Sequence, residues 1–175
     1  MELRDFQKQI LEKISLNLYF DIKRMVVVAP TGAGKTFIAA NLLKSFFEEG
    51  KTCLFLVDRR KLVRQSAEEI SRFTPCGIIM SGEPITQHKV QICSSQSFNL
   101  WVMKNGMSIP DPDLIIFDEC HVRTKFQEEV MKVYTNCIYV GLTATPCNKG
   151  GFGLGNLYAD LIQVTSYGAL INQKQ

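Results

Sequence analysis

Short apolar runs of four or five residues alternate along this chain with segments whose apolar positions fall three and four apart. Leu3, Phe6, Ile10, Leu11, Ile14 and Leu18 have that spacing and predict an amphipathic N-terminal helix. The continuous runs at 25–28, 53–57, 78–80, 90–93, 114–117 and 138–142 predict strands, with a last one near 161–164. Helices are expected between them. One covers 37–47 and is ended by Gly50, and one covers 59–73 with Leu62, Val63, Ala67 and Ile70 inward. Another covers 94–103 with Ser94 as its cap. Thr124-x-x-Gln127 reads as a capping box opening a helix to about residue 134. A glycine-rich loop at 150–155 precedes the last strand, and Ser166 caps a final short helix. Strands that are apolar throughout, alternating with helices, predict an α/β fold: a parallel sheet covered on both faces.

A sheet of that kind carries its ligand outside the carboxyl ends of the strands. There the chain has Ala29-Pro-Thr-Gly-Ala-Gly-Lys-Thr36, between a strand and a helix. Gly32 and Gly34 let successive N–H groups of Pro30-Thr31-Gly32-Ala33-Gly34 line one hollow, apart from proline, which has none. The helix N-terminus favours an anion. Lys35 reaches β- and γ-phosphates, and the Thr36 hydroxyl suits Mg²⁺. The first position of the strict pattern is glycine, and here it is Ala29.

The run 114–117 leads directly into Asp118-Glu-Cys-His121. Asp118, at the end of a buried strand, is placed to hold Mg²⁺ opposite Thr36. Glu119 is placed to orient and deprotonate a water for attack on a γ-phosphate. Two adjacent carboxylates suit that chemistry because one neutralises metal and the other handles water.

Bulk properties narrow the field. The chain has 175 residues, 46% hydrophobic and 21% charged, enough for one domain over 1–175 with a real core. Net charge is +3, so any basic, nucleic-acid-binding surface is local. No apolar run suits a membrane span and the N-terminus has no signal-peptide core, so a cytoplasmic protein without a membrane partner is expected. The six cysteines form no Cys-x-x-Cys pair, and several lie in apolar runs as small core residues.

In this order and spacing the chain resembles the first motor domain of superfamily 2 helicases and translocases. The nearest pattern is the DEAD/DEAH-like group of restriction-enzyme motors and phage branched-DNA helicases. Residues 29–36 match its motif I, Asp118-Glu-Cys-His121 its motif II, and Leu142-Thr-Ala-Thr-Pro146 its motif III. The resemblance implies a RecA-like phosphate-loop domain that hydrolyses ATP with Mg²⁺. Lys35, Asp118, Glu119 and His121 would be its catalytic groups. Leu3-Arg-Asp-Phe-Gln7 resembles the adenine-reading segment, with Gln7 on the adenine edge and Arg4 stacked on the ring. Val57-Asp-Arg-Arg-Lys-Leu-Val-Arg-Gln65 and Cys93-Ser-Ser-Gln-Ser97 resemble nucleic-acid-facing segments, which implies contacts from Arg59, Arg60, Gln96 and Ser97. His121 would link the nucleotide to motif III through Thr143 or Thr145.

The group often follows motif III with an arginine and an Asp-Gly pair, whereas this chain has Cys147-Asn-Lys-Gly-Gly151. The resemblance further implies a second RecA-like domain, absent from this chain, that supplies arginines to the ATP site. The nucleic acid expected is DNA rather than RNA, in a bacterial or phage-infected bacterial cell. A nucleotide-dependent clamp without unwinding activity is the alternative, and a different phosphate-loop enzyme such as a kinase is a third reading.

Overall fold

Seven strands form one sheet in the computed structural model, which describes residues 3–147, 151 and 153–163. They are β1 (Arg24–Val28), β2 (Cys53–Val57), β3 (Cys76–Ile79), β4 (Val90–Ser94), β5 (Leu114–Phe117), β6 (Ile138–Thr143) and β7 (Asp160–Ile162). Their order is β3-β4-β2-β5-β6-β1-β7, and every pairing is parallel. The α/β expectation is met, and the reason lies in the strand sequences. Met25, Val27, Phe55, Val57, Ile116 and Val140 point to one face, where α1 (Asp5–Tyr19), α2 (Lys35–Glu48) and α3 (Arg60–Ile70) cover them. Val26, Leu54, Leu56, Ile115, Phe117 and Tyr139 point to the other, beneath Phe98, Val102, Val130 and Met131. Neighbouring residues bury on opposite sides, so no polar alternation survives.

Several boundaries differ from the expectation. The strand expected at 78–80 runs Cys76–Ile79, and the helix expected at 59–73 begins after Arg59, its extended N-cap. Ser94 does cap the next segment, its Oγ accepting from the Ser97 N–H at 3.0 Å. That segment is a short α-turn, α4 (Ser95–Ser97), which widens into a π-helix at Phe98–Lys104. Phe98 and Val102 stay buried there, while Leu100 is left exposed. Gly50, in the left-handed region at φ 78°, ends α2 as expected, its N–H bonded to Phe47 O.

The capping box at Thr124 does not form. Arg123, at φ 56°, is the N-cap of α5 (Thr124–Val133), and Thr124 is already helical. The Gln127 side chain turns inward instead, where its Nε2 donates to the backbone carbonyls of Cys120 and Val122. The last strand is β7, and the helix expected from Ser166 lies outside the described residues.

Cys53, Cys93, Cys120 and Cys137 are buried, while Cys76 and Cys147 are half-buried. Burial raises the Cys53 and Cys120 thiols to about 12, so they are protonated packing groups. Among the described residues, no helix is long and apolar enough to cross a membrane.

Gly141 on β6 is where the second core is tightest. A Cβ there would lie 2.6 Å from Cys120 Sγ and 2.9 Å from the Tyr158 ring. We expect Gly141→Ala to cost about 1–3 kcal/mol through overpacking, seen as a lower urea midpoint at unchanged slope. An unchanged midpoint would mean that Cys120 and Tyr158 yield without loss.

Candidate functional site at the carboxyl edge of the sheet

Because all strands run the same way, the loops after β1, β5 and β6 leave from one edge. The β1–β6–β5 adjacency then sets motifs I, II and III side by side, with Val28 registered on Thr143 and Phe117 on Gly141.

The phosphate loop is held open by backbone geometry. Gly32 and Gly34 have φ of 81° and 79°, a region costly for residues with a Cβ. A Cβ at Gly32 would meet nothing within 4 Å, so the hollow has room beside it. Gly34 is tighter, because a Cβ there would lie 2.8 Å from Gln7 Nε2. Gln7 is buried, and its Nε2 donates to Ala33 O at 3.0 Å while its Oε1 accepts from the Arg4 N–H at 3.0 Å. The N-terminal helix is thereby fastened to the loop. One amide hydrogen and one lone pair of Gln7 remain for a ligand edge. Arg4 is exposed beside it.

Lys35 Nζ lies 3.3 Å from Glu119 Oε1, with Lys35 largely buried. The other Glu119 oxygen is 3.4 Å from His121 Nδ1. His121 Nδ1 also sits 2.8 Å from Thr143 Oγ1. The Thr143 hydroxyl donates to Thr145 O at 2.8 Å and accepts from the Thr145 N–H at 3.0 Å. Since its single proton is committed to Thr145, Thr143 meets His121 as an acceptor. The imidazole therefore carries its proton on Nδ1. Thr143 is fully buried, and its carbonyl accepts from the Ala29 N–H at 2.9 Å. This residue touches all three motifs.

Asp118 is raised from 3.8 to about 6, first by burial and then by the charge of Glu119, with Lys35 opposing. A carboxylate held in so unfavourable a setting is relieved by a cation. Together with the Thr36 hydroxyl it is a hard oxygen donor set of the kind Mg²⁺ takes alongside phosphate oxygens and water. Among the described residues no group of three or more His, Cys, Asp or Glu could hold a metal by itself. The donor set thus fits a metal that arrives with a phosphate ligand.

The second set of sequence-expected residues lies further along the same edge, after β2 and β4. Those strands pair with Val57 opposite Ser94, and Ser95 Oγ donates to Val57 O at 3.3 Å. Arg59 is exposed. Arg60 is exposed too, with its Nη2 donating to Ser81 O at 2.8 Å. Gln96 is exposed, whereas Ser97 is buried and its Oγ accepts from Ser94 Oγ at 2.8 Å. An ion pair that the sequence did not signal, Arg123 with Asp58, ties the turn after His121 to the end of β2. Its partners are 65 residues apart, and only the β2–β5 adjacency brings them together.

Comparison with known proteins agrees with this geometry. Protein Dicer of Schizosaccharomyces pombe is 32% identical over 139 residues, which is 65% of this chain and 10% of that protein. The DNA 3'-5' translocase XPB2 of Sulfurisphaera tokodaii is 30% identical over 155 residues, 86% of this chain and 32% of that protein. The chain thus spans a third or less of the length of these relatives. The crystal structure of the UvsW helicase from bacteriophage T4 superimposes with a TM-score of 0.71 at 18% identity, covering 94% of this chain and 61% of that one. Residues 1–148 match the family model described as type III restriction enzyme, res subunit. The chain belongs to that family, and with it to the superfamily 2 helicases, as a first RecA-like motor domain.

Proposed function

We propose that this chain is the ATP-binding half of a DNA helicase or translocase, coupling ATP hydrolysis to unwinding or branch migration. The observation that carries the reading is the connected line Lys35–Glu119–His121–Thr143 at the mouth of the phosphate loop. On this reading Lys35 binds the β- and γ-phosphates, while the N–H groups of residues 31–36 surround them. Thr36 and Asp118 hold Mg²⁺, which when bound neutralises charge on the transferring phosphate. Glu119 orients the attacking water and takes its proton. His121 holds Glu119 on one side and Thr143 on the other, so the state of the nucleotide reaches Thr143 and Thr145. Gln7 offers its remaining donor and acceptor to the adenine edge, and Arg4 stacks on the ring.

Arg59, Arg60, Gln96 and the Ser97 segment are proposed to face the DNA backbone, where phosphate contacts grip without reading sequence. The place of these segments beside the nucleotide loops supports this. The relative named as a DNA translocase is consistent with DNA. We further propose a partner RecA-like domain that closes over the ATP and contributes arginine. Such an arginine is worth about 10³–10⁵ in phosphoryl-transfer rate, so this chain alone turns over slowly. Its proposed place is the cytoplasm of a bacterial or phage-infected bacterial cell.

The deciding experiment is ATP turnover by this chain and by a protein containing it with a second motor domain, each with DNA or RNA of matched sequence. DNA-stimulated turnover confined to the longer protein is expected. Fast turnover by this chain, indifferent to nucleic acid, would overturn the reading.

Three substitutions test the assignments. Lys35→Ala should weaken ATP binding by roughly 10- to 100-fold, the size of a lost charge-assisted hydrogen bond, read by fluorescent-nucleotide titration. Glu119→Gln should leave binding near the parent value and slow hydrolysis by at least about 100-fold. Equal losses of binding and turnover would instead mark Glu119 as structural.

Asp118→Asn tests the buried charge. Its folded value of about 6 lies above its unfolded 3.8, so its proton is held more tightly in the folded protein. The stabilising contribution is full below 3.8 and lost as pH rises through about 6. Without Mg²⁺ or nucleotide, Asp118→Asn should therefore melt several degrees above the parent at pH 8 and level with it near pH 3.5, by calorimetry. Added Mg²⁺ and ATP should raise the parent more than the variant. A variant that is less stable at pH 8 would contradict the electrostatic account.

A further inference from the structure

We propose that Gln127 and Tyr158 form a positioning strut that sets the catalytic turn at Glu119–His121 and joins it to the segment following the glycine-rich loop. This rests on the roles given above to Glu119 and His121.

The turn needs support. Glu119 has φ 47°, a left-handed conformation that costs a residue with a side chain and persists only where its surroundings hold it. Within the turn, the Val122 N–H donates to Glu119 O at 2.8 Å. Sheet neighbours fix its entry, through Asp118 N–H to Leu56 O and Cys120 N–H to Leu142 O. Its exit depends on a side chain. Gln127 is almost wholly buried, and its Nε2 donates to Cys120 O and to Val122 O, both at 2.7 Å. Those carbonyls flank His121, so both hydrogens of one amide nitrogen fix the backbone on either side of the imidazole.

The other end of the amide is anchored as well. Gln127 Oε1 accepts from the Tyr158 hydroxyl at 2.7 Å. A flipped amide would set its oxygen against two carbonyl oxygens, so those carbonyls fix which way it faces. Tyr158 is buried in the same apolar cluster as Cys120. It fits only because Gly141 presents no side chain there. Its N–H bonds to Leu154 O, and the Ala159 N–H continues into β1 at Arg24 O. The chain that returns from motif III to the last strand thus reaches the catalytic turn through one phenol and one amide. No motif that identified the nucleotide site includes either residue. The arrangement makes Gln127 and Tyr158 positioning residues, because neither meets the reacting atoms.

The two histidines of the chain allow a direct test, since His88 is exposed on a separate loop and serves as an internal reference. The full 175-residue chain is labelled with ¹⁵N-histidine, and the ring nitrogens are recorded for parent, Tyr158→Phe and Gln127→Met. The same proteins are assayed for ATP affinity and for single-turnover hydrolysis. In both variants the His121 ring signals should move while those of His88 stay. Hydrolysis should fall roughly tenfold or more, with ATP affinity near the parent value, as expected of misplaced catalytic groups. Unmoved His121 signals in a folded variant would overturn the strut, as would equal losses in affinity and hydrolysis. Should Gln127→Met fail to fold, Tyr158→Phe decides, since it removes only one hydroxyl. If the parent neither binds nor hydrolyses ATP, the proposed function fails, while the ring signals still decide whether the strut sets His121.

Discussion

Parallel pairing is the constraint from which the site follows. Once β5, β6 and β1 lie side by side and point the same way, the segments that leave them share one edge. A buried strand end has unpaired backbone groups, and those of one segment are satisfied by the next. Ala29 bonds to Thr143, and Cys120 bonds to Leu142. The hydrogen-bond ladder of the sheet therefore runs on into the phosphate loop and the acidic turn, and no separate scaffold is needed to bring them together. Thr143 shows the economy of this: its carbonyl closes the ladder while its hydroxyl serves His121 and Thr145.

The same geometry explains an electrostatic compromise. Asp118 must sit at the end of a fully buried strand to face the loop, and burial there opposes its charge. Glu119 next to it adds to the cost, and Lys35 recovers only part. The fold thus carries a locally unfavourable charge at the place where a cation is proposed to bind, a common association of perturbed carboxylates with functional clefts. On the proposed function, stability given up at this position would be recovered when metal and phosphate bind.

Much of the fold and part of the site could be read from residue order. Strands buried on both faces look continuous, and Met25 to Val28 or Leu114 to Phe117 leave little choice of structure. Gly32 and Gly34 announce their left-handed backbone because no other residue takes it so cheaply. Gln127 was opaque for the opposite reason. A glutamine three residues after a threonine has the same local pattern whether it caps a helix or satisfies buried carbonyls, and only the packing around Tyr158 decides. Arg123 and Asp58 meet across the sheet, and neither carries a local sign of the other. Glu119 and Arg123 adopt positive φ without being glycine, so their turns left no mark in the sequence. The π-widening after Ser97 was hidden too, since Phe98 and Val102 are spaced as they would be in an α-helix.

If the proposed function holds, the Lys35–Glu119 pair gains a kinetic meaning beyond its geometry. With Lys35 on one oxygen and His121 on the other, Glu119 has both of its oxygens engaged. On the proposed function, a phosphate that draws Lys35 toward itself frees one Glu119 oxygen to meet a water. On that reading the lysine would act as an interlock: the oxygen that meets the water is released by the arrival of the phosphate that the water is to attack.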